Sequence, residues 1–200
     1  LTSIFLFIIF YFFFYYLDKQ IIYLSYIIYF LVLLEIIIYF RKNNYIFYIT
    51  IIYIFFSLIC LEFYFRLFFL KIELIFIILL ISIFDINSYI FGSKFGKLKI
   101  LPIISPNKTL LGLIFGFSSA LIFGLIFNFY YNLFNEYLII FFIILILTSA
   151  FFGDVIESYF KRKSEIKNSS NFLPGHGGFF DRFDSYFMVF ISLLLFKILI

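Results

Sequence analysis

Uninterrupted apolar runs constrain this chain more than any other feature. They fall at roughly 4–17, 21–40, 45–65, 72–91, 110–131, 137–157 and 185–200. A helix needs about 20 mostly apolar residues to cross a bilayer, so about seven spans are expected, the first and last of them short. Composition removes the soluble alternative. Hydrophobic residues make up 66% of the 200 and charged residues 13%, and the mean hydropathy is +1.17. A water-soluble domain carries about a quarter charged residues and keeps a polar shell around its core. The expected fold class is therefore all-α, a polytopic integral membrane protein. No basic segment precedes the first run and no small-residue cleavage site follows it, so a cleaved signal peptide is not expected.

Lysine and arginine orient the runs. Arg41, Lys42, Lys94, Lys97, Lys99, Lys108, Lys161, Arg162, Lys163, Lys167 and Arg182 fall in alternate connections, while Lys19, Arg66 and Lys71 fall in the others. The positive-inside rule makes the first group cytoplasmic. The net charge of +4 is thus topogenic and suited to anionic headgroups, and no nucleic-acid partner is expected. The single cysteine, Cys60, lies in an apolar run and offers neither an intrachain disulfide nor a cysteine metal site. Phe (37) and Tyr (17) are enriched as AT-rich coding would enrich them, so apolar identity says little and the Gly, Pro, Asp and His residues are the informative ones.

Residues 92–109 and 158–184 stand apart. Both are polar and glycine-bearing, both lie on the expected cytoplasmic side, and together they hold all three prolines, Pro102, Pro106 and Pro174. Asp154 closes an apolar run, where an unpartnered carboxylate costs several kcal/mol and is expected to face a cavity, a cation or a partner. On a helix it shares a face with Glu157 and Ser158. Asp181 and Asp184 are likewise spaced i, i+3 ahead of the last run. Carboxylates of this kind suit Mg²⁺, which takes one or two of them together with substrate phosphates. Lys161, Arg162, Lys167 and Arg182 suit phosphate charge. Between them, Gly175-His176-Gly177-Gly178 offers backbone without Cβ obstruction to a phosphate or a base.

Each feature alone has a plainer reading. Asp154 would pair with Lys161 or Arg162 one or two turns on, and Lys161-Arg162-Lys163 would be topogenic. Gly-His-Gly-Gly would be a tight turn, His176 a surface histidine, and Asp181, Arg182 and Asp184 a local ion-pair network. Ser105-Pro106 followed by Thr109 would be a turn and a helix start. The conjunction of those between Asp154 and Asp184, within some thirty residues, is what the plainer readings leave unexplained.

That conjunction, Ser158-x-x-Lys161-Arg162 through Lys167-Asn168-x-Ser170, Leu173-Pro174-x-His176-Gly177-Gly178-Phe179 and Asp181-Arg182-Phe183-Asp184, resembles the signature of the phosphatidate cytidylyltransferases. Asp85-x-x-Ser88-Tyr89-x-x-Gly92, Phe95-Gly96-Lys97 and Ser105-Pro106-Asn107-Lys108-Thr109 resemble that family's upstream elements. Two positions depart from it: Asn168 stands where the family has Asp, and Leu111 where it has Glu. The resemblance covers roughly residues 85–190, which divides the chain into N-terminal spans (1–84) and a C-terminal catalytic region (85–200).

The resemblance implies transfer of CMP from CTP to phosphatidate, giving CDP-diacylglycerol and pyrophosphate, at the cytoplasmic face of a bacterial inner membrane. It implies Asp154, Asp181 and Asp184 as the catalytic carboxylates and Mg²⁺ ligands. Lys161, Arg162, Lys167 and Arg182 would hold phosphates, and His176, Gly177 and Gly178 would line the nucleotide pocket. Ser105, Lys108 and Thr109 would close the site from the other connection. It also implies a homodimer. A CTP-dependent polyprenol kinase or a CDP-archaeol synthase is the nearest rival, and the full Lys-Arg to Asp-Arg-x-Asp signature argues against both. A transporter would place ions at Asp154 and Asp181, but the repeated halves usual in transporters are not visible. A degenerate remnant would explain Asn168 and Leu111, but not the intact aspartates.

Overall fold

In the computed structural model, residues 21–166, 168–170, 172 and 177–199 are described. The expected run at 4–17 lies outside them. The chain runs α1 (Ile21–Tyr39), α2 (Asn44–Leu67), α3 (Lys71–Phe95), β1 (Lys99–Leu101), β2 (Ser105–Thr109), α4 (Leu110–Tyr131), α5 (Glu136–Lys163) and α6 (Phe180–Leu199). The first five helices are long and apolar enough to cross a membrane. The sixth carries Asp181, Arg182, Asp184 and Lys197 within its 20 residues, and their spread towards both ends leaves it no span-length stretch as free of charge as those of the other five. The protein is a multi-pass helical membrane protein, with six helices among the described residues.

Helix ends follow local chemistry. The Asn43 side chain accepts from Ile46 N–H to start α2 (3.3 Å), and Thr109 Oγ1 accepts from Gly112 N–H to start α4 (3.2 Å). The helix start read at Ser105–Thr109 therefore falls at Thr109. The residues before it form something the sequence reading did not anticipate, an antiparallel hairpin pairing Lys99 with Thr109 and Leu101 with Ser105. Proline at 102 and 106 and the shortness of both strands hid it. Helix α4 ends at Asn132 in the left-handed conformation (φ 49°), and the Asn128 amide clamps Phe134 through both its N–H (3.0 Å) and its carbonyl (2.9 Å).

Small residues decide which helices meet. On α4, Gly112, Gly116, Ala120 and Gly124 recur every fourth position and are the buried face of the helix. A Cβ on Gly112 would stand 2.5 Å from the Ser88 carbonyl oxygen, and one on Gly116 would collide with the Ser88 hydroxyl, so α3 and α4 pack backbone to backbone. On α5, a Cβ on Gly153 would stand 2.7 Å from the Asp184 carbonyl oxygen and 3.0 Å from Ser185 Cα, so α5 crosses α6 as closely. Elsewhere aromatic and aliphatic side chains fill the interior, with Phe40, Phe76, Phe142, Phe180, Phe187 and Phe196 fully buried. The outward rows, such as Tyr48, Ile52, Phe55, Ile59 and Phe63 on α2, face what must be lipid.

The α1–α2 turn, the hairpin and the α5–α6 connection share one end of the bundle. Lys42 reaches Glu165 (3.4 Å) and Arg162 Nε donates to the Ile104 carbonyl (3.3 Å) across it. The α2–α3 and α4–α5 turns lie at the other end, where Lys197 of α6 pairs with Glu73 of α3 (2.6 Å).

Candidate functional site

The polar end holds a cleft of about 360 Å³. Asp85 and Ser88 of α3, Ser105, Asn107, Lys108 and Thr109 of the hairpin, Asp154 of α5, and Asp181, Arg182 and Asp184 of α6 line it. Two close crossings build it. Gly153 brings α5 and α6 together one residue before Asp154, so the Asp154 and Asp184 carboxyls stand near enough to share a hydrogen bond. The Gly92, Gly112 and Thr109 contact roots the hairpin on α3 and α4 and aims β2 at the opposite wall.

Asp154 does not pair along its own helix. Its partner is Lys108, brought from 46 residues away by the hairpin. Lys161 pairs instead with Glu157 (2.7 Å) and with Asp181 (2.8 Å). Glu157 is buried, so a cation beside it offsets a desolvation cost. Asp181, ahead of the apolar part of α6, also accepts from the Ser169 N–H (3.2 and 3.1 Å) and the Gly178 N–H (2.9 Å). Burial works against its charge. The Gly178 N–H and the Lys161 ammonium, both hydrogen-bonded to it, outweigh that and hold the carboxyl below the usual carboxylate range.

Of the residues singled out in the sequence, Asp154, Asp181, Asp184, Arg182, Ser105, Lys108 and Thr109 meet in the cleft. Lys161 reaches it through Asp181. Gly177 (φ +80°) and Gly178 turn the backbone so that Asp181 can accept, and a Cβ on Gly177 would fall 2.5 Å from Asp181 Oδ2. Arg162 is exposed and engaged with the hairpin turn. Lys167 and His176 lie outside the described residues. The three carboxylates assigned to Mg²⁺ divide two and one: Asp154 adjoins Asp184, while Asp181 faces Lys161. Among the described residues, no three acidic, histidine or cysteine side chains converge on one point.

Two carboxylates escaped assignment from the sequence. Asp85 lines the cleft. Glu35, buried in α1, accepts from Ser169, Ser170, Phe179 and Phe180. Both interrupt an apolar run, and an ionisable residue in such a run was the signal available.

Fold and cleft together define the class, a multi-pass helical membrane protein with one acid- and base-lined cleft at an end of its bundle. The model of the cytidylyltransferase family matches residues 1–199, and the chain belongs to that family. A phosphatidate cytidylyltransferase of Staphylococcus saprophyticus is 42% identical over 129 residues, 62% of this chain and 49% of that protein. Those of Staphylococcus haemolyticus and Staphylococcus aureus are each 42% identical over 113 residues, 56% of this chain and 43% of theirs. The matched stretch therefore spans about half the length of these relatives.

Proposed function

We propose that the chain transfers the CMP moiety of CTP to phosphatidate, giving CDP-diacylglycerol and pyrophosphate in phospholipid biosynthesis. The observation that carries this reading is that the signature residues Asp181, Arg182 and Asp184 line one cleft with Asp154, opposite Lys108. A phosphate oxygen of phosphatidate attacks the α-phosphorus of CTP, the bond from that phosphorus to the bridging oxygen breaks, and pyrophosphate leaves. The attacking oxygen is already anionic, so positioning and charge neutralisation are the main demands.

Asp154 and Asp184 fit Mg²⁺, since two adjoining carboxylates on the wall of an open cleft leave room for substrate oxygens to complete its shell. Asp181 is the third carboxylate of this reading. Bound there, Mg²⁺ would neutralise charge on the phosphates. Lys108 and Arg182 meet phosphate from facing walls, Ser105 and Thr109 border the cleft from the hairpin, and Lys161 holds Asp181 and Glu157 in place. Arg162, Lys167, His176, Gly177 and Gly178 belong to the same substrate-binding reading through the signature. A site at the end of the bundle lets the acyl chains stay in the bilayer. The reading includes about seven spans, the polar end on the cytoplasmic face of a bacterial inner membrane, and a homodimer.

Purified protein in detergent, given phosphatidate, α-³²P-CTP and Mg²⁺, is expected to label lipid. Omission of Mg²⁺ is expected to abolish the label. Unlabelled lipid from folded wild-type protein under these conditions would sink the proposal, and Asn168→Asp would then test the remnant alternative.

A further inference from the structure

Glu35 is the single charged residue of α1 and is 0% exposed. A carboxylate in a membrane-spanning helix is costly unless its oxygens are hydrogen-bonded. Here both are. Oε1 accepts from Ser170 Oγ (2.7 Å) and Phe179 N–H (2.7 Å), and Oε2 from Phe180 N–H (2.9 Å) and Ser169 Oγ (3.2 Å). The two backbone donors belong to the start of α6, whose first N–H groups have no partner within their own helix. A carboxylate some 145 residues away in sequence thus caps the helix that carries Asp181 and Asp184.

Two further contacts make the tie specific. Ser169 is a joint, with its hydroxyl on Glu35 and its N–H on both oxygens of Asp181. Gly178 is the clearance, since a Cβ there would stand 2.6 and 2.7 Å from the Glu35 oxygens and would meet the Ser169 hydroxyl. Glu35 therefore grips the connection on the α5 side, at 169–170, and on the α6 side, at 179–180, and fixes the one against the other.

We propose that Glu35 is a positioning residue for the cytidylyltransferase signature. Acting through Ser169 and the first turn of α6, it sets where Asp181 and Asp184 face the cleft, and it touches no substrate itself. The turnover arm of its test rests on the proposed CMP transfer, while the exchange arm does not.

The full chain in detergent is compared with Glu35→Gln, with a Ser169→Ala/Ser170→Ala pair, and with Glu62→Gln as control, a carboxylate of α2 engaged with Tyr26 and Arg66. Amide exchange across 168–181 is read beside kcat and KM, each per folded molecule by size exclusion and melting. Glu35→Gln is expected to speed exchange at Phe179 and Phe180 by about tenfold, the order of one lost hydrogen bond. It should lower kcat by about 10- to 100-fold, as misplaced groups do, with KM for CTP and phosphatidate within about twofold. The serine pair should move both quantities the same way by less, and Glu62→Gln should move neither.

Unchanged exchange with unchanged kcat overturns the proposal, as does a lower melting temperature with kcat per folded molecule intact, the mark of a purely structural residue. Where Glu35→Gln yields no folded protein, the serine pair decides by the same two criteria. If wild type transfers no CMP, the functional reading fails by itself, and wild-type-like exchange in the variants would still overturn the tie.

Discussion

Both ends of the bundle bury ion pairs, and they use them differently. At the far end Lys197 meets Glu73 at 2.6 Å and lies 5.2 Å from the centre of the Phe134 ring, while the Asn128 amide locks the adjoining turn. Phe134 in turn packs against Phe142 and Phe196. A pocket of about 810 Å³ at that end touches Asn128 and Phe134, but neither Lys197 nor Glu73 lines it. At the polar end Lys108 and Lys161 meet Asp154, Glu157 and Asp181, and further carboxylates, Asp85 and Asp184, line an open cleft beside them. An ion pair sealed by aromatic packing joins helices. Carboxylates gathered where a ligand can enter repel one another until a cation arrives, and that instability favours chemistry. Buried charge alone does not separate the two cases; the cleft does.

The comparison breaks most sharply at Asp184. Asp184→Ala is expected to cut lipid labelling on the order of 1000-fold, as loss of a group stabilising transferred charge does, with the melting temperature little changed. A variant retaining a tenth of wild-type labelling would remove Asp184 from the proposed chemistry. Glu73→Ala should do the reverse. Leaving Lys197 without its partner is expected to cost about 3 kcal/mol of stability in detergent unfolding, with turnover per folded molecule unchanged. A fall in turnover there would mean that the two ends are coupled.

Gly153→Ala sharpens the comparison, because it acts on both quantities. Its Cβ meets backbone of α6, which cannot yield, so about 2 kcal/mol of destabilisation should come with reduced labelling as Asp154 and Asp184 are pried apart. Gly124→Ala, whose Cβ meets the flexible ends of Ile143 and Leu80, should cost less and spare activity. The smallest effect is expected at Lys42→Ala, where an exposed pair with Glu165 contributes no more than about 0.5 kcal/mol.

The sequence made the spans and the local half of the site legible. Lengths of apolar run placed four helices within four residues at each end, since lipid imposes one solution on such runs, while α5 continues six residues past its apolar run, to Lys163. Spacing along one helix put Asp154 and Glu157 on a face and Asp181 and Asp184 on another. It could not show that Lys108, rather than Lys161, answers Asp154, because that pairing depends on a hairpin of three- and five-residue strands that no periodicity reveals. Nor could it show Glu35 at Ser169, 134 positions apart, where the only local trace is one carboxylate among aliphatic neighbours.

The glycine seam between α3 and α4 has a mechanical consequence. Where side chains interleave, helices can shear by exchanging rotamers. Where Gly92, Gly112 and Gly116 rest on backbone, on the Ser88 and Thr109 hydroxyls and on the edge of the Phe84 ring, little can yield, and sliding by one residue would drive a larger side chain into a carbonyl. Helices α3 and α4 therefore bear load as a single beam. The hairpin that joins their ends inherits its stiffness, so Lys108 keeps its aim without a disulfide to brace the strand that holds it.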